Sequence, residues 1–599
     1  MSAEATQNSN VSKALLEAQA NVDSKLILSN IGNNIDGPKL EKILKSYDVK
    51  YTKCKKPFDS WCGTVWFATP EDKEDAKVKL SKAIMKNGEP IRVVECAEAN
   101  KRKLDRINAG DSCEASHKRQ KVEESATESE QPHHVNDVVT PMWHEPYEKQ
   151  LKAKTRHTIN TLTNISKRLK KAGAPLENMI QFVGVDGHVH PSEVLEGYRN
   201  KLSFTIGVDS NGVKRIGFSE GAFGKGKMTV GDVSGGCILI GKRIEEIRLR
   251  LEKYVQESPR DVYHKDTHEG FWRQFEIRCF RTGETCAVVQ VNPTGVPEEE
   301  VAAEKKALIK VLGGEMKVTS LYFQVHDGIS NFAQTVPELI YGPKYIRENI
   351  LGLTFNVSPG SFFQTNSWTV ETLYGIVRDW CKEIVSNDFD TAESSIEKDT
   401  TDNTATNNSE NSTEEKSSKE IKTKKSILFD VCCGTGTIGQ VLARDCFSGE
   451  GTRVVGVDIA EDAIHDAEEN AKLNAEALSN CDLRYIAGKA EDHMRKMAES
   501  YVGNAGSGCN VIAVVDPPRS GLHPSVLKTL RNCWSITHIV YVSCNPNTLA
   551  NDVEALCRPV SRSMPSKPFV PVKATGVDMF PHTDHLEMVM VLKRDPPKH

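Results

Sequence analysis

The 599-residue sequence lacks any apolar run close to the roughly twenty residues that span a bilayer. Its first residues, MSAEATQNSN, have neither a basic start nor an apolar stretch, so we predict no secretory signal peptide. No two of its 16 cysteines are separated by two residues, the spacing typical of zinc ribbons and iron–sulfur loops. We therefore expect a soluble protein of the cytoplasm, the nucleus or both, with reduced cysteines, no membrane association and no metal.

The chain also lacks the excess of positive charge that is typical of nucleic-acid-binding proteins, since its net charge is -5. The basic residues are nevertheless concentrated in one segment. Residues 148–227 contain 14 Lys and Arg against 7 Asp and Glu, a surplus of seven. We predict that any RNA site lies in this segment.

The first 140 residues are predicted to contain one small domain between two polar segments. Residues 1–21 are expected to be disordered. The order of strands and helices in residues 22–98 resembles an RNA recognition motif. Its base-stacking positions hold Ile27, Cys62 and Thr64 instead of aromatic residues, so RNA contact and protein contact stay equally open.

Residues 99–140 read as a linker with two basic clusters, Lys101–Lys103 and Lys118–Lys121. These clusters have the spacing of a bipartite nuclear import signal. Basic clusters in linkers also serve only to keep the segment solvated, and both interpretations stay open.

Residues 141–335 are predicted to form a β-rich RNA-binding domain. A basic amphipathic helix over residues 148–171 is followed by short alternating strands with turn signals, which predict an antiparallel sheet. Residues 336–599 are predicted to form a second domain, interrupted by a disordered insert at residues 386–425 that is rich in Ser, Thr, Asn and Glu.

A glycine-rich turn follows a buried strand in ILFDVCCGTGTIG, and Gly434 and Gly436 allow the backbone to approach a ligand closely. Asp458 ends the next strand, where a carboxylate can accept both hydroxyls of a ribose. An acidic helix start is the alternative interpretation of Asp458.

Two further strand ends carry candidate functional residues. In VIAVVDPPRSGLH the prolines stiffen the turn after Asp516, and in HIVYVSCNPN a turn leaves Cys544 at the open end of its strand. Because the carboxyl ends of parallel strands meet at one edge of a sheet, we expect these groups to face one crevice. A buried cysteine is more often a small apolar residue, but this position favours a functional thiol.

Five motifs occur in an order that resembles the RNA 5-methyluridine methyltransferase family: GSFFQTN, DVCCGTGTIG, DPPRSGL, YVSCNPNTLANDV and HLEMVMVL. The resemblance covers about residues 141–599. It implies an α/β fold, with a class I, Rossmann-like S-adenosyl-L-methionine methyltransferase domain behind a β-rich RNA-binding domain. It also implies a tRNA substrate, methylated at the T-loop uridine, because the iron–sulfur cysteines of ribosomal-RNA relatives are absent.

Carried over residue by residue, the resemblance implies that Cys544 is the nucleophile and Glu587 the general base. It assigns Gln364, Asp458 and Asp516 to the methyl-donor site, with Asp516 a second candidate contact to the uracil. Cys432 stands where bacterial relatives often have an aromatic residue, and Asp458 where many relatives have Glu.

This chemistry needs a thiol and a carboxylate. Attack of a thiolate on C6 of uracil makes C5 nucleophilic, and a base must then remove the C5 proton. Two alternatives remain: a non-catalytic RNA-binding or RNA-folding protein, and a C5-methyltransferase that acts on another RNA.

Overall fold

The computed structural model describes residues 25–29, 37–55, 62–81, 92–95, 134–174, 176, 179–220, 229–231, 233, 236–265, 267–328, 335–396, 426–449, 451–505 and 510–594. The predicted disordered N-terminus, both basic clusters and residues 397–425 of the predicted insert lie outside these residues. The chain divides into two compact units, Met1–Ser129 and Glu130–His599. No described helix is long and apolar enough to cross a membrane.

The first unit contains strands β1 (Lys25–Ser29), β2 (Lys53–Lys55), β3 (Cys62–Trp66) and β4 (Arg92–Glu95), with helices α1 (Gly37–Ser46) and α2 (Pro70–Ser81). The sheet order is β2-β3-β1-β4, and every described strand pair is antiparallel. Alternate residues of the strands and one face of each helix form a single core that includes Leu26, Leu28, Leu44 and Val65.

The strands of the second unit are β5 (Gln181–Phe182), β6 (Lys201–Val208), β7 (Lys214–Gly217), β8 (Ser219–Glu220), β9 (Thr229–Val230), β10 (Trp272–Cys279), β11 (Thr285–Val291), β12 (Ser320–Val325), β13 (Glu338–Tyr341), β14 (Ile346–Ile350), β15 (Leu353–Val357), β16 (Ser426–Val431), β17 (Arg453–Asp458), β18 (Asp482–Ala487), β19 (Asn510–Val515), β20 (Ile536–Ser543), β21 (Val570–Val577) and β22 (Glu587–Lys593). Its helices are α3 (Val135–Val139), α4 (Tyr147–Lys171), α5 (Lys242–Glu257), α6 (Glu298–Leu308), α7 (Thr369–Ile396), α8 (Thr437–Asp445), α9 (Glu461–Leu473), α10 (Ala490–Ala505), α11 (Pro524–Asn532) and α12 (Pro546–Cys557), and a π-helix (Ile309–Glu315) follows α6.

A central six-stranded sheet has the order β13-β12-β11-β10-β6-β7, with α5 and α6 contributing to its core. The prediction of a purely antiparallel sheet is wrong for one pair, because β11 and β12 run parallel. Parallel neighbours need a crossover connection, and α6 with the π-helix supplies it between these two strands.

The larger sheet has the order β18-β17-β16-β19-β20-β22-β21-β5. Strands β16 to β20 are parallel, whereas β22 is antiparallel to both of its neighbours. Helices α4, α10, α11 and α12 bury their apolar faces on one side of the sheet, and α7 and α8 on the other. This is an open, doubly wound α/β sheet, whose ligand-binding edge is the carboxyl edge of the parallel strands.

Helix α4 packs on this larger sheet and not with the central domain to which residues 141–335 were assigned. Its Leu162, Ile165 and Leu169 join the core under α12, and Arg168 pairs with Glu554 at 2.6 Å. An apolar stripe in a sequence predicts that a helix is buried on one side but not against which sheet.

Three predicted boundaries also differ from the structure. Strand β13 belongs to the central sheet although it lies after residue 336, and α3 lies inside the predicted linker with Val135 buried. Helix α7 continues to Ile396, so the predicted insert does not begin at residue 386. Once a helix has formed, each added residue gains a backbone hydrogen bond, which carries it into a polar sequence without Pro or Gly.

Candidate active site

The register of the larger sheet brings three strand ends together. Val431 of β16 is paired with Val457 of β17 and with Val515 of β19. The residues that follow, Cys432, Asp458 and Asp516, therefore lie side by side at the carboxyl edge of the sheet.

Cys544 and Glu587 lie at the same edge, on two neighbouring antiparallel strands. Ser543 of β20 is paired with Met588 of β22. Cys544 directly follows Ser543 and Glu587 directly precedes Met588, so the two residues lie close together where this ladder ends. The structure thus joins two residues that are 43 positions apart in the sequence.

These strand ends line a cavity of about 1940 Å³. Six of the seven predicted site residues face it: Gln364, Gly434, Asp458, Asp516, Cys544 and Glu587. Gly436 does not line it, and its assignment as a cofactor contact stays a prediction. Gly436 precedes α8 with φ of 76°, and a Cβ there would meet the ring of Tyr485 at 2.8 Å, so glycine is needed for packing.

The turn at Gly434 is preorganised for a polar ligand. Its N–H donates to Oδ2 of Asp458 at 2.9 Å, and the N–H of Ala460 donates to Oδ1 at 2.9 Å. Each carboxylate oxygen keeps a free lone pair toward the cavity, where ribose hydroxyls can donate. A Cβ on Gly434 would meet nothing within 4 Å, so its φ of 53° and not crowding favours glycine here.

Cys544 is half-buried, and its thiol is protonated at neutral pH before substrate binds. Burial raises its pKa to about 11, helped by the negative charges of Glu587 and Asp516, while Arg519 acts in the opposite direction. Formation of the thiolate therefore depends on groups that arrive with the substrate or that neutralise the two carboxylates.

Glu587 is the most deeply buried of the candidate catalytic groups, with 3% of its surface exposed. Burial raises the pKa of its carboxyl well above the usual value, the charge of Asp516 raises it further, and Arg519 opposes this. Among the described residues Oε2 has no hydrogen-bond partner. A buried carboxyl with a free oxygen at a cavity is suited to exchange a proton with a bound substrate.

The loop before Glu587 is fixed by helix α4. Lys154 pairs with Asp578 at 2.5 Å, and both side chains are buried. Oε1 of Gln150 accepts the N–H of His582 at 2.8 Å, which holds His582 in a left-handed conformation with φ of 67°. The helix that was expected to bind RNA thus fixes the loop that leads to Glu587.

We expect Asp516→Asn to stabilise the protein at pH 8 more than at pH 5. Burial raises the pKa of Asp516 from 3.8 to about 7. The folded chain therefore holds this proton more tightly than the unfolded chain, and this stabilisation is complete below about pH 4 and lost as the pH rises to 7. At pH 8 the wild type carries a buried negative charge on Asp516, which lowers its free energy of unfolding by up to about 4 kcal/mol. The asparagine variant carries no charge there and avoids this loss. Melting temperatures at the two pH values test this, and an equal difference at both would contradict it.

The sequence analysis missed several residues of the cavity. Phe362, which is 71% exposed, lines the same cavity as Cys544, and so do Arg199 and Arg519. Exposed aromatic and basic side chains are the groups that RNA-binding sites use. A signal was present, since Phe362 and Arg199 lie within the GSFFQTN and YRNK segments.

Asp430 was also missed, although an acid in the strand SILFDV is a visible signal. It is fully buried, and burial raises its pKa to about 7. Its Oδ2 accepts the N–H of Gly439 at 2.8 Å, so it fixes the start of α8 beneath the glycine turn.

Comparisons with known proteins agree with this geometry. Residues 400–595 match the family model described as tRNA (Uracil-5-)-methyltransferase. The mouse tRNA (uracil-5-)-methyltransferase homolog A is 29% identical over 597 residues, covering 95% of this chain and 84% of the relative. The zebrafish homolog B is 32% identical, covering 77% of this chain and 86% of the relative. The chain belongs to the tRNA (uracil-5-)-methyltransferase family. The predicted family resemblance is confirmed.

The fold of the family is also found among solved structures. The Pyrococcus abyssi tRNA (uracil-54, C5)-methyltransferase in complex with S-adenosyl-L-homocysteine superposes with a TM-score of 0.50 at 24% identity, covering 76% of this chain and 86% of that one. The predicted class I methyltransferase fold is confirmed.

Proposed function

We propose that this member of the tRNA (uracil-5-)-methyltransferase family transfers a methyl group from S-adenosyl-L-methionine to C5 of uridine in RNA, and that its substrate is the T-loop uridine of tRNA. The observation that carries the proposal is the position of Cys544 and Glu587, which both line the cavity where the ladder of β20 and β22 ends. The names of the relatives, and the uracil-54 specificity in the name of the Pyrococcus enzyme, support the choice of substrate.

Cys544 and Glu587 divide the reaction between them. The thiol of Cys544 gives up its proton to solvent through the open cavity, and the resulting thiolate attacks C6 of the uracil. The electron pair of the C5–C6 double bond moves into an enolate. C5 then takes the methyl group, which bound S-adenosyl-L-methionine supplies as an electrophile. Glu587 removes the remaining C5 proton, and the returning electron pair restores the double bond and releases the thiolate of Cys544.

Other residues of the cavity fit S-adenosyl-L-methionine. Asp458 offers carboxylate lone pairs for ribose hydroxyls, and Gly434 leaves open space above the turn. Asp516 and Gln364 line the same cavity. We assign these four residues to the cofactor.

Three further regions are assigned to RNA. Phe362 offers an exposed ring on which a flipped base can stack beside Cys544. The first unit, with its β2-β3-β1-β4 order, is assigned as an RNA recognition motif-like domain, and the central sheet as an RNA-binding domain. The basic side chains of Lys201, Lys214 and Arg215 on β6 and β7 support the second assignment.

The proposal predicts a defined product. Incubation of the full chain with an unmodified tRNA transcript and methyl-labelled S-adenosyl-L-methionine should give 5-methyluridine as the labelled nucleoside after digestion. A transcript with cytidine in place of the T-loop uridine is the matched control and should stay unlabelled. Label in another nucleoside, or equal label in the control, would contradict the proposed reaction or the proposed target.

A further inference from the structure

A second cavity, of about 160 Å³, lies beside the catalytic one and has no role in the reaction described above. At roughly 30 Å³ for each water molecule, it has room for about five. Tyr198 and Arg199 line both cavities. The other walls are the first turn of α5, residues 279–281 at the end of β10, and Ser367 with Trp368.

Asn200 gives this cavity an unused hydrogen-bond acceptor. Its side chain is 5% exposed, and its Nδ2 donates to the backbone oxygen of Gln364 at 2.9 Å and to Oγ of Ser367 at 2.7 Å. A backbone carbonyl can only accept, so the amide cannot be turned over. Oδ1 is therefore left without a partner among the described residues, and a buried acceptor of this kind favours a ligand that donates.

The same cavity also favours an anion. Gly241 is the N-cap residue of the 16-residue helix α5 and has no side chain to cap it. The N–H groups of the first turn are therefore left for a ligand. Nε of Arg199 donates to the backbone oxygen of Lys201 at 3.1 Å, and no described carboxylate forms an ion pair with this guanidinium. By contrast, Arg281 is paired with Glu371 at 2.8 Å, and Arg243 is paired with Glu246 at 3.3 Å.

We propose that this cavity binds one ribose–phosphate unit of the RNA strand that carries the target uridine. The phosphate lies at the first turn of α5 beside Arg199 and Arg243, and the ribose 2′-hydroxyl donates to Oδ1 of Asn200. Trp368, which is 39% exposed, covers the apolar side of the sugar. The proposal rests on the proposed function, because it requires an RNA substrate.

The occupied cavity would connect recognition of the strand with the catalytic cavity. Asn200 holds the backbone of Gln364 through its Nδ2 and the 2′-hydroxyl through its Oδ1. Because a deoxyribose lacks this hydroxyl, the cavity also distinguishes RNA from DNA.

The test uses the full chain and tRNA transcripts in which each nucleotide flanking the target uridine is replaced, one at a time, by its 2′-deoxy form. We expect one position at which the deoxy form raises KM about tenfold, the loss of one buried hydrogen bond. This effect should disappear in Asn200→Ala, which lacks the acceptor. Arg243→Gln should raise KM for every transcript, whereas Arg250→Gln, which alters the same helix at its ion pair with Glu315, should not.

If no deoxy position raises KM, or if the effect is unchanged in Asn200→Ala, the assignment of the cavity is wrong. Covalent trapping of the wild type on 5-fluorouridine RNA would in that case leave the proposed reaction intact. If the wild type neither traps nor methylates RNA, the proposed function fails and the assignment of the cavity fails with it.

Discussion

Replacing Cys544 with alanine should abolish methyl transfer, with a loss of at least about 10³-fold in turnover, because the proposed reaction begins with the attack of this thiol on C6. The sharpest measurement uses tRNA that carries 5-fluorouridine. Fluorine replaces the proton that Glu587 must remove, so the wild type should stop as a covalent protein–RNA adduct that survives denaturation. Cys544→Ala should give no adduct while still binding the RNA.

Cys446→Ala is the matched control, since Cys446 is also partly buried and burial also raises the pKa of its thiol, but it lies outside the cavity. This variant should form the adduct like the wild type. An adduct with Cys544→Ala, or its absence from the wild type despite RNA binding, would favour another nucleophile or a non-catalytic RNA-binding protein.

Glu587→Gln should lower turnover by about 10²- to 10⁴-fold and trap the enzyme on ordinary RNA. Glutamine has the same shape but cannot accept the C5 proton, so the thiol cannot be eliminated after the methyl group has been transferred. A denaturing gel with labelled methyl groups should show a protein–RNA adduct with this variant. The wild type, which completes the elimination, should show none.

Glu554→Gln serves as the control, because Glu554 pairs with Arg168 on the far side of α12 and does not line the cavity. It should turn over normally. Turnover of Glu587→Gln within about threefold of the wild type would mean that a different group, with Asp516 the nearest carboxyl, removes the proton.

The residues that lie at strand ends were predictable from the sequence. Buried strands followed by Asp458, Asp516 and Cys544 indicate a common sheet edge, because parallel strands present their carboxyl ends together. The contact between Cys544 and Glu587 was not predictable from pattern alone. It depends on β22 entering the sheet antiparallel between β20 and β21, a choice made by tertiary packing.

The sequence also could not determine which elements of the fold pack against each other. The sequences of α4 and β5 do not indicate which sheet these elements contact, although both pack with the larger sheet. The packing of Gly436 against Tyr485 was also not predictable, because a glycine needed beside a tyrosine ring has the same sequence pattern as one needed beside a ligand.

The position of α4 and β5 has a consequence for the order of folding during synthesis. Residues 147–182 emerge from the ribosome long before their partner, because the strand that pairs with β5 is β21, at residues 570–577. The central sheet, whose strands all lie between residues 201 and 341, can close long before that point. The apolar face of α4 therefore stays exposed until nearly four hundred further residues have been synthesised. A chain that ends before β21 should leave this face accessible to chaperones and prone to aggregation.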